Sequence, residues 1–310
     1  MITLYLVVPC YNEEEVLPET SSRLKDKLTA LSKAGKITDK SRVLFVDDGS
    51  RDKTWQIISA IHEEDERFGG VKLSRNRGHQ NALMAGLTAS LDYPCDAVIS
   101  LDADLQDDID AIDKMVDSCI NGNDVVYGVR SARDTDTFFK RTTAQGFYKV
   151  MKMLGVDLVY DHADYRLLSR RALEGLMQFD EVNLFLRGIV PQIGYKSDIV
   201  TYERGERFAG ESKYPLKKMI AFAIEGITSF SVRPVRLITA AGVAITAISA
   251  LTWLLLLFAS ADAAVKAAAS IWTLGGIELV ALGVVGEYVG RVYQETKHRP
   301  RFIIEKTILR

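Results

Sequence analysis

VISLDADLQ, residues 98–106, joins a short apolar segment to two closely spaced carboxylates. Residues 98–101 have the composition of a buried parallel strand, so we expect Asp102 and Asp104 at its carboxyl end, where open α/β sheets bind ligands. Two carboxylates this close repel one another unless a cation lies between them, and Mg²⁺ or Mn²⁺ takes such oxygen ligands together with substrate phosphates. The stretch therefore favours a divalent-metal and diphosphate site. Two solvated turn aspartates are the commoner alternative for an isolated Asp-x-Asp.

Acidic residues recur where other predicted strands end. Residues 4–8 form a first predicted strand and are followed by Glu13, and residues 43–46 form a second, followed by Asp48. Amphipathic segments with helical spacing separate the predicted strands. Regular alternation of strands and helices predicts an α/β fold with a mostly parallel, doubly wound sheet.

Two familiar phosphate-binding motifs are absent from the sequence. No G-x-G-x-x-G follows the first predicted strand and no G-x-x-x-x-G-K-[ST] occurs, which argues against a dinucleotide dehydrogenase and a P-loop NTPase. Something other than a glycine-rich loop must then neutralise the phosphates, and the metal together with Arg75, Arg130 and later cations could do so. His79 has no second His or Cys beside it, so we expect it to cap a helix or pack. Asp164 is expected in a short turn, residues 161–168.

Composition excludes some classes of protein. The 310 residues carry a formal net charge of −2, so the chain lacks the basic surface of a nucleic-acid-binding protein and we expect no nucleic-acid partner. Cys10, Cys95 and Cys119 have neither disulfide nor metal spacing, which fits a reducing compartment. Residues 1–8 lack the features of a secretory signal.

The last third of the chain has the composition of a membrane protein. Residues 237–261 contain no Asp, Glu, Lys or Arg, and about 20 apolar residues suffice to cross a bilayer. We predict a hairpin of two transmembrane helices, residues 235–259 and 267–290. Basic residues flank both outer ends of the hairpin, so the positive-inside rule puts the large domain and both termini in the cytoplasm. The predicted location is the cell inner (plasma) membrane, as a multi-pass protein in contact with the lipid bilayer.

These features predict four parts of the chain. They are a cytoplasmic catalytic domain (1–213), interfacial amphipathic helices (214–234), two transmembrane helices (235–292) and a cytoplasmic tail (293–310). Glu278 lies in the middle of the second span, where a charge is costly, and predicts a homo-oligomer that buries it at a subunit interface. The β-forming residues of the tail favour an edge strand added to a neighbour.

The motifs taken together resemble a known family. They are VVPCYNEEE (7–15), FVDDGSRDKT (45–54), LSRNRGHQNALMAG (73–86), SLDADLQDD (100–108), VVYGVR (125–130), DYRLLSRRAL (164–173), NLFLRG (183–188) and GESKYPLKKM (210–219). In this order, before a two-span hairpin, they resemble the bacterial polyprenyl-phosphate glycosyltransferases of glycosyltransferase family 2, which are similar to dolichol-phosphate mannose synthases. The resemblance covers nearly the whole chain. It implies a GT-A fold and inverting transfer of a sugar from a nucleotide sugar to a membrane polyprenyl phosphate.

The resemblance also implies roles for individual residues. The nucleoside would be held by Pro9, Tyr11, Glu13, Val46 and Asp48. The diphosphate and the metal would be held by Asp102, Ala103 and Asp104, with Gln106 completing the metal shell. Arg130 would reach the donor, and phosphate on donor or acceptor would be bound by Arg141, Arg207 and Lys213. Asp164 matches the family's acceptor-side carboxylate.

The chemistry leaves several alternatives open. A phosphate monoester has a second pKa of about 6 and is already a competent nucleophile at neutral pH. Asp164 is therefore either a general base, the catalytic role that the resemblance favours, or a residue that orients the sugar or Arg166. UDP-glucose is the first choice of donor, with UDP-N-acetylglucosamine or GDP-mannose as alternatives. A receiver domain and a processive polysaccharide synthase are weaker rivals. From another class, a non-catalytic, membrane-anchored nucleotide-binding protein is the alternative.

Overall fold

A computed structural model describes residues 1–130, 162–182, 185–203 and 263–309 of the protein. The chain divides into two compact units. Among the described residues, the first unit contains 1–130, 162–182, 185–203 and 300–309, and the second contains 263–299. The predicted boundaries at 213, 234 and 292 stay predictions.

A mixed sheet forms the centre of the first unit. Within the described residues its strands are β1 (Leu4–Cys10), β2 (Arg42–Asp47), β3 (Phe68–Leu73), β4 (Ala97–Ser100), β5 (Val125–Arg130), β6 (His162–Ser169), β7 (Ser197–Tyr202) and β8 (Ile304–Ile308). Their order across the sheet is β7-β5-β6-β4-β1-β2-β3-β8. Strands β1, β2 and β4 are buried along most of their length, as a sheet covered on both faces requires.

Most of the strand pairs are parallel, which confirms the coarse prediction. Strands β1–β2, β1–β4, β2–β3 and β5–β7 pair in parallel, whereas β6 runs antiparallel to β4 and β5, and β8 antiparallel to β3. The turn predicted for residues 161–168 is wrong, because these residues mostly belong to β6. The charged Asp164 and Arg166 interrupt the apolar pattern of this strand, so the pattern did not predict a strand here. Both residues lie at the candidate site described below.

Helices cover the sheet of the first unit. They are α1 (Leu17–Lys33), α2 (Thr54–Glu64), α3 (His79–Ser90), α4 (Ala111–Ile120), α5 (Arg170–Leu176) and α6 (Leu186–Gln192). Helix α1 buries Leu17, Leu24, Leu28 and Leu31 at helical spacing. Burial of each such side chain stabilises the fold by about 1.5 to 3 kcal/mol relative to exposure. Helix α5 begins after Ser169, whose side chain accepts a hydrogen bond from the backbone N–H of Ala172.

The tail supplies the edge strand of this sheet. Strand β8 pairs with β3, so the tail extends the sheet of its own chain rather than that of a neighbour. Two glycines of β3 allow close approach, Gly69 by the tail and Gly70 by α2. A Cβ atom at Gly69 would lie 2.3 Å from Cδ1 of Leu309, and one at Gly70 would lie 2.6 Å from Cγ2 of Ile58.

The second unit is represented by one long helix. Helix α7 runs over Ala263–Thr296 and contains the predicted second span, residues 267–290. In the ranges that the structure describes, no helix has both the length and the apolar character needed to cross a bilayer. The predicted interfacial helices and the first span lie outside the described residues, so the membrane hairpin stays a prediction.

Candidate active site

The carboxyl ends of the parallel strands meet the beginning of β6 at one edge of the sheet. Ser100, the last residue of β4, is the register partner of Arg166 in β6. Its hydroxyl donates a hydrogen bond of 2.5 Å to the backbone oxygen of Asp164. The antiparallel direction of β6 therefore brings Asp164 beside Asp102, which directly follows β4. Residues that are far apart in the sequence form one acidic and basic cluster at this edge.

The DADLQ turn is fixed from both ends. The backbone oxygen of Ala103 accepts a hydrogen bond of 2.8 Å from the hydroxyl of Thr20 in α1, and Oδ1 of Asp104 accepts one of 3.1 Å from the backbone N–H of Gln106. Leu105 has a φ of 57°, a left-handed conformation that is costly for a residue with a side chain. Such strain persists only where surrounding contacts hold it, and it clusters at functional sites.

The donor atoms of this turn fit a hard divalent cation. Removal from bulk water raises the pKa of Asp102; His79 opposes this effect, and the carboxylates of Asp164 and Asp104 add to it. A bound cation would relieve this repulsion. Over the described part of the chain, no group of three or more His, Cys, Asp or Glu side chains has metal-binding geometry. Mg²⁺ nevertheless uses one or two carboxylates together with substrate phosphates, so Asp102 and Asp104 are a sufficient protein contribution. The role of Gln106 in the metal shell stays a prediction.

Asp164 lies between two guanidinium groups. Arg166 donates from Nη2 to its Oδ1 at 2.5 Å, and Arg187 donates from Nη2 to its Oδ2 at 3.3 Å. Burial would raise the pKa of Asp164, but Arg187 and Arg166 together lower it well below its usual range. The carboxylate is therefore held ionised. Its side chain is mostly buried, and that of Arg166 is only 3% exposed.

His79 joins this cluster from the first turn of α3. Its Nε2 lies 3.6 Å from Oδ1 of Asp102 and 3.8 Å from Oδ2 of Asp164. The expectation that His79 only caps or packs is therefore incomplete, because it faces both the predicted metal ligand and the predicted acceptor-side carboxylate. Gly78 precedes it with a φ of 86°, which directs the start of the helix toward the site.

The predicted nucleoside residues lie around the ends of β1 and β2. Pro9 and Val46 are buried register partners, so only their backbone groups can face a ligand in this conformation. Tyr11 and Glu13 follow β1, and the Tyr11 side chain is exposed. The backbone N–H of Glu13 donates a hydrogen bond of 2.9 Å to the hydroxyl of Thr54, which ties this loop to the loop after β2.

Asp48 organises the loop between β3 and α3. Its two carboxylate oxygens accept hydrogen bonds from the backbone N–H groups of Arg77 (2.7 Å) and Gly78 (2.9 Å). Burial raises the pKa of Asp48, and the two N–H donors oppose that effect. The neighbouring Gly49 has a φ of 65°, and a Cβ atom there would lie 2.6 Å from the backbone carbon of Arg75. This contact brings the basic loop close to the end of β2.

Arg130 ends β5 at the same edge of the sheet. Its Nη2 lies 3.8 Å from Oδ1 of Asp107, and Asp107 accepts a hydrogen bond of 2.6 Å from the Tyr202 hydroxyl. Burial, and next the charge of Asp102, raise the pKa of Asp107 to about 6. Among the described residues, Nε of Arg130 is buried without a hydrogen-bond partner. The guanidinium therefore lies close to the acidic turn, where the resemblance predicted a donor contact.

Sequence reasoning missed four residues of the site or gave them too little weight. They are His79, Asp107, Arg187 and Tyr202. The sequence did contain a signal for Asp107, because LQDD continues the acidic run directly after the metal motif. Arg187 lies in the motif NLFLRG, but no role was predicted for it, and Tyr202 lies in none of the quoted motifs. Each reaches the site through the sheet order or the packing of α6. Of the residues predicted from the resemblance, Arg141, Arg207 and Lys213 lie outside the described residues.

A cleft of about 650 Å³ lies between α1 and residues 105–110 and includes Gln106 and Asp107 of the candidate site in its lining. Lys27 lies on its wall and makes ion pairs with Asp110 and Asp113 at 2.6 and 2.7 Å. None of the predicted nucleoside residues lines this cleft. The candidate site is instead the edge of the sheet between the ends of β1, β2 and β4 and the start of β6.

Comparisons with known proteins identify the family of the chain. The family model described as Glycosyl transferase family 2 matches residues 5–177. The chain is 50% identical over 308 residues to a Bacillus subtilis (strain 168) protein named uncharacterized glycosyltransferase YkoT, covering 97% of this chain and 91% of the relative. It is 37% identical to the prophage bactoprenol glucosyl transferase homolog of Escherichia coli (strain K12), covering 97% and 98% of the two chains. It is 38% identical to the bactoprenol glucosyl transferase of Shigella phage SfV, covering 97% of each.

A solved structure is also similar to the chain. Glucosyl-3-phosphoglycerate synthase from Mycobacterium tuberculosis, in complex with Mn²⁺, UDP-glucose and phosphoglyceric acid, matches with a TM-score of 0.46 and 18% identity, covering 73% of this chain and 78% of that one. A TM-score of this size is too low to transfer that protein's ligands to this site. The match to the family over residues 5–177 and the full-length relatives instead decide the assignment, and they confirm the family that the motifs predicted: this chain belongs to glycosyl transferase family 2 and is a glycosyltransferase.

Proposed function

We propose that this chain transfers a hexose, with glucose as the first choice, from a nucleotide sugar to a membrane polyprenyl phosphate, with inversion at the sugar carbon. UDP-glucose is the proposed donor and undecaprenyl phosphate the proposed acceptor. One observation carries the proposal. Relatives named bactoprenol glucosyl transferase are 37% to 38% identical to the chain and align with 97% of it.

The proposed donor site uses the acidic turn and the strand ends beside it. A divalent cation, Mg²⁺ or Mn²⁺, held by Asp102 and Asp104 would offset the negative charge that develops on the departing nucleoside diphosphate. Arg130 would add a guanidinium to the same charge from the end of β5. Asp48 fixes the loop that would border the nucleoside, because both of its carboxylate oxygens hold backbone N–H groups of that loop. The fold proposed for this site is the GT-A fold.

The acceptor side of the proposed site carries Asp164, Arg166 and Arg187. A polyprenyl phosphate is anionic at neutral pH and needs little help from a base. Asp164 is already paired with two guanidinium groups, and a carboxylate held ionised in this way is a weak proton acceptor. The contacts therefore support the orienting alternative over the general base. In this role Asp164 fixes Arg166 and Arg187, and Arg187, whose side chain is 31% exposed, would meet the incoming phosphate.

The membrane arrangement is part of the proposal. A lipid-linked acceptor requires the catalytic domain to work at the bilayer surface. Basic residues on both sides of the predicted hairpin support a plasma-membrane location with the catalytic domain and both termini in the cytoplasm. A homo-oligomer is proposed on the basis of Glu278, whose burial between subunits would avoid contact with lipid.

Product analysis tests the proposed function directly. The full-length protein, purified in detergent, is incubated with undecaprenyl phosphate, Mn²⁺ and labelled UDP-glucose, UDP-N-acetylglucosamine or GDP-mannose in separate reactions. We expect labelled lipid from UDP-glucose. Labelled lipid from another donor alone would retain the reaction class and replace the sugar, whereas absence of labelled lipid from all three would overturn the proposal. Removal of the divalent cation by a chelator is expected to stop transfer, and activity that survives chelation would refute the metal role.

A further inference from the structure

Two tyrosines from neighbouring parts of the sheet fix the residues that follow the DADLQ turn. The Tyr202 hydroxyl donates a 2.6 Å hydrogen bond to the carboxylate of Asp107, and the Tyr165 hydroxyl donates a 2.9 Å hydrogen bond to the backbone oxygen of Asp108. The two rings pack edge to face, with centroids 5.2 Å apart and an interplanar angle of 81°. Both tyrosines are almost completely buried. They differ in what they hold, because one contacts a carboxylate and the other a backbone carbonyl.

Within the described ranges, the contact of Tyr202 continues to a functional side chain, whereas that of Tyr165 ends at a backbone carbonyl. Nη2 of Arg130 lies 3.8 Å from Oδ1 of Asp107, the same carboxylate oxygen that accepts the hydrogen bond from the Tyr202 hydroxyl. The Asp107 carboxylate therefore links the Tyr202 hydroxyl to the Arg130 guanidinium. The Asp107 side chain is 4% exposed and the Arg130 side chain 25% exposed, so Arg130 is the member that can also meet a ligand.

We propose that Asp107 and Tyr202 are positioning residues that hold the Arg130 guanidinium toward the diphosphate of the nucleotide-sugar donor. This inference rests on the proposed function and adds two residues to which no role has been assigned. A long arginine side chain loses conformational freedom when it binds a ligand, and a buried carboxylate and phenol that already restrain it remove part of that cost. Their effect should then appear at the leaving group, where charge develops, and should require Arg130.

A matched pair of tyrosine variants separates positioning from simple support of the turn. Tyr202→Phe and Tyr165→Phe each remove one hydroxyl from an almost fully buried ring that packs against the other. With full-length protein, we expect Tyr202→Phe to lower kcat about tenfold while the KM for donor changes less than about threefold, because an interaction made mainly in the transition state is lost. We expect kcat of Tyr165→Phe to stay within about twofold of that of the unmodified protein. Equal losses of kcat in the two variants would overturn the positioning role.

The dependence on Arg130 is tested by a double-mutant cycle. If Tyr202 acts through Arg130, then Tyr202→Phe should lower kcat by less than about twofold when it is introduced into Arg130→Ala, and Asp107→Asn should behave in the same way. A full tenfold loss in the Arg130→Ala background would overturn the proposal.

Failure of the proposed function can be told apart from failure of this inference. Should the unmodified protein transfer none of the three sugars, the same cycle is measured as affinity for UDP with Mn²⁺, since UDP carries the charge of the leaving group. Affinity about tenfold weaker in Tyr202→Phe, and unchanged by this substitution in Arg130→Ala, would support the positioning role. An additive loss of UDP affinity would overturn it.

Discussion

Two clusters of aspartate and arginine show how the same residue types serve different ends. Before β3, Asp65 accepts hydrogen bonds from Nε and Nη2 of Arg67 at 3.0 and 2.7 Å, and Nη1 of Arg67 donates to the hydroxyl of Thr29. At the candidate site, Asp164 is shared by Arg166 and Arg187. Among the described residues, Nε of Arg166 is buried without a partner.

The difference between the clusters indicates their roles. The Asp65–Arg67 pair uses the hydrogen-bond donors of its guanidinium within the fold, so its contribution is to stability. The cluster around Asp164 leaves a buried donor unpaired, which costs free energy that a purely structural cluster would avoid. We therefore expect substitutions at the site to remove activity and leave stability nearly intact, and substitutions in the peripheral pair to do the reverse.

The largest effect is expected at the acidic turn. Asp104→Ala removes one of the two proposed cation ligands and should lower the transfer rate at least about a thousandfold, since several kcal/mol of leaving-group stabilisation are lost. Rates of labelled-lipid formation and a thermal unfolding curve measure the two consequences. The control is Asp92→Ala, which removes an exposed carboxylate two residues after the C-terminal end of α3 and should leave the activity unchanged. Substantial transfer by Asp104→Ala would contradict the assignment of the site.

Substitution of Asp164 separates its two candidate roles. Asp164→Asn keeps the shape of the side chain but removes the charge that fixes Arg166 and Arg187, and kcat should fall about a hundredfold. If Asp164 orients these arginines, the pH profile of the residual activity should keep the shape of the unmodified profile. Loss of the acidic limb of the profile would instead favour a general base. The site cluster would then differ from the peripheral pair because Asp164 transfers a proton.

Two glycines with the same backbone conformation test how tightly the site's loops are packed. Gly49 and Gly35 have φ values of 65° and 69°, but only Gly49 has backbone atoms of another loop where a Cβ would lie. Gly35→Ala should lower the free energy of unfolding by about 1 kcal/mol through backbone strain alone. Gly49→Ala should cost about 2 kcal/mol and also weaken donor binding, because the loop at Arg75 must move. Denaturant titration measures the two changes in the free energy of unfolding, and the KM for donor measures the effect on binding. Equal losses of stability in the two variants would show that the close approach at Gly49 does not affect stability.

The peripheral pair should give the smallest effect, and it depends on pH. The hydrogen bonds from Arg67, opposed by burial, lower the pKa of Asp65 below its usual value. A carboxyl group with a lowered folded-state pKa contributes stability above its unfolded pKa of about 3.9, and this contribution is lost as the pH falls toward the folded-state value. Asp65→Asn should therefore cost about 1 kcal/mol at pH 7 and progressively less below about pH 4, with transfer activity unchanged.

The exposed pair between Glu19 and Arg23 on α1 supplies the control for this measurement. Glu19→Gln should cost less than about 0.5 kcal/mol, as for other solvent-exposed pairs one helical turn apart. Denaturant titrations of both variants at pH 7 and at pH 3.5 make the comparison. A cost for Asp65→Asn that did not shrink at the lower pH would show that lost packing, rather than the ion pair, accounts for it.

The sequence predicted the parts of the fold that depend on local pattern. The apolar runs of β1, β2 and β4 and the acidic residues directly after them were found, since burial on both faces and a turn at the carboxyl end leave a clear signal. Strand β6 was missed because Asp164 and Arg166 replace apolar residues in it, and the requirements of the site outweighed the pattern of a buried strand.

The candidate site was predicted only in part, because local sequence patterns mark the residues of its short motifs and not those brought in by the sheet order. Asp48, Asp102 and Asp104 lie in short motifs and were identified, although their chemical roles stay predictions. Arg187 and Tyr202 reach the site through the packing of α6 and the position of β7 beside β5. Such placements depend on sheet order, which residue spacing does not encode.

The pairing of β8 with β3 has a consequence for how the protein is made. Lys72 of β3 makes an ion pair of 3.2 Å with Glu305 of β8, which lies 233 positions later in the sequence. During synthesis, the edge of β3 that pairs with β8 therefore lacks its partner strand until the segment between the two strands has been translated. Exposed strand edges favour association with other chains. Expression at high yield should benefit from conditions that keep newly made chains apart until the last strand has joined the sheet.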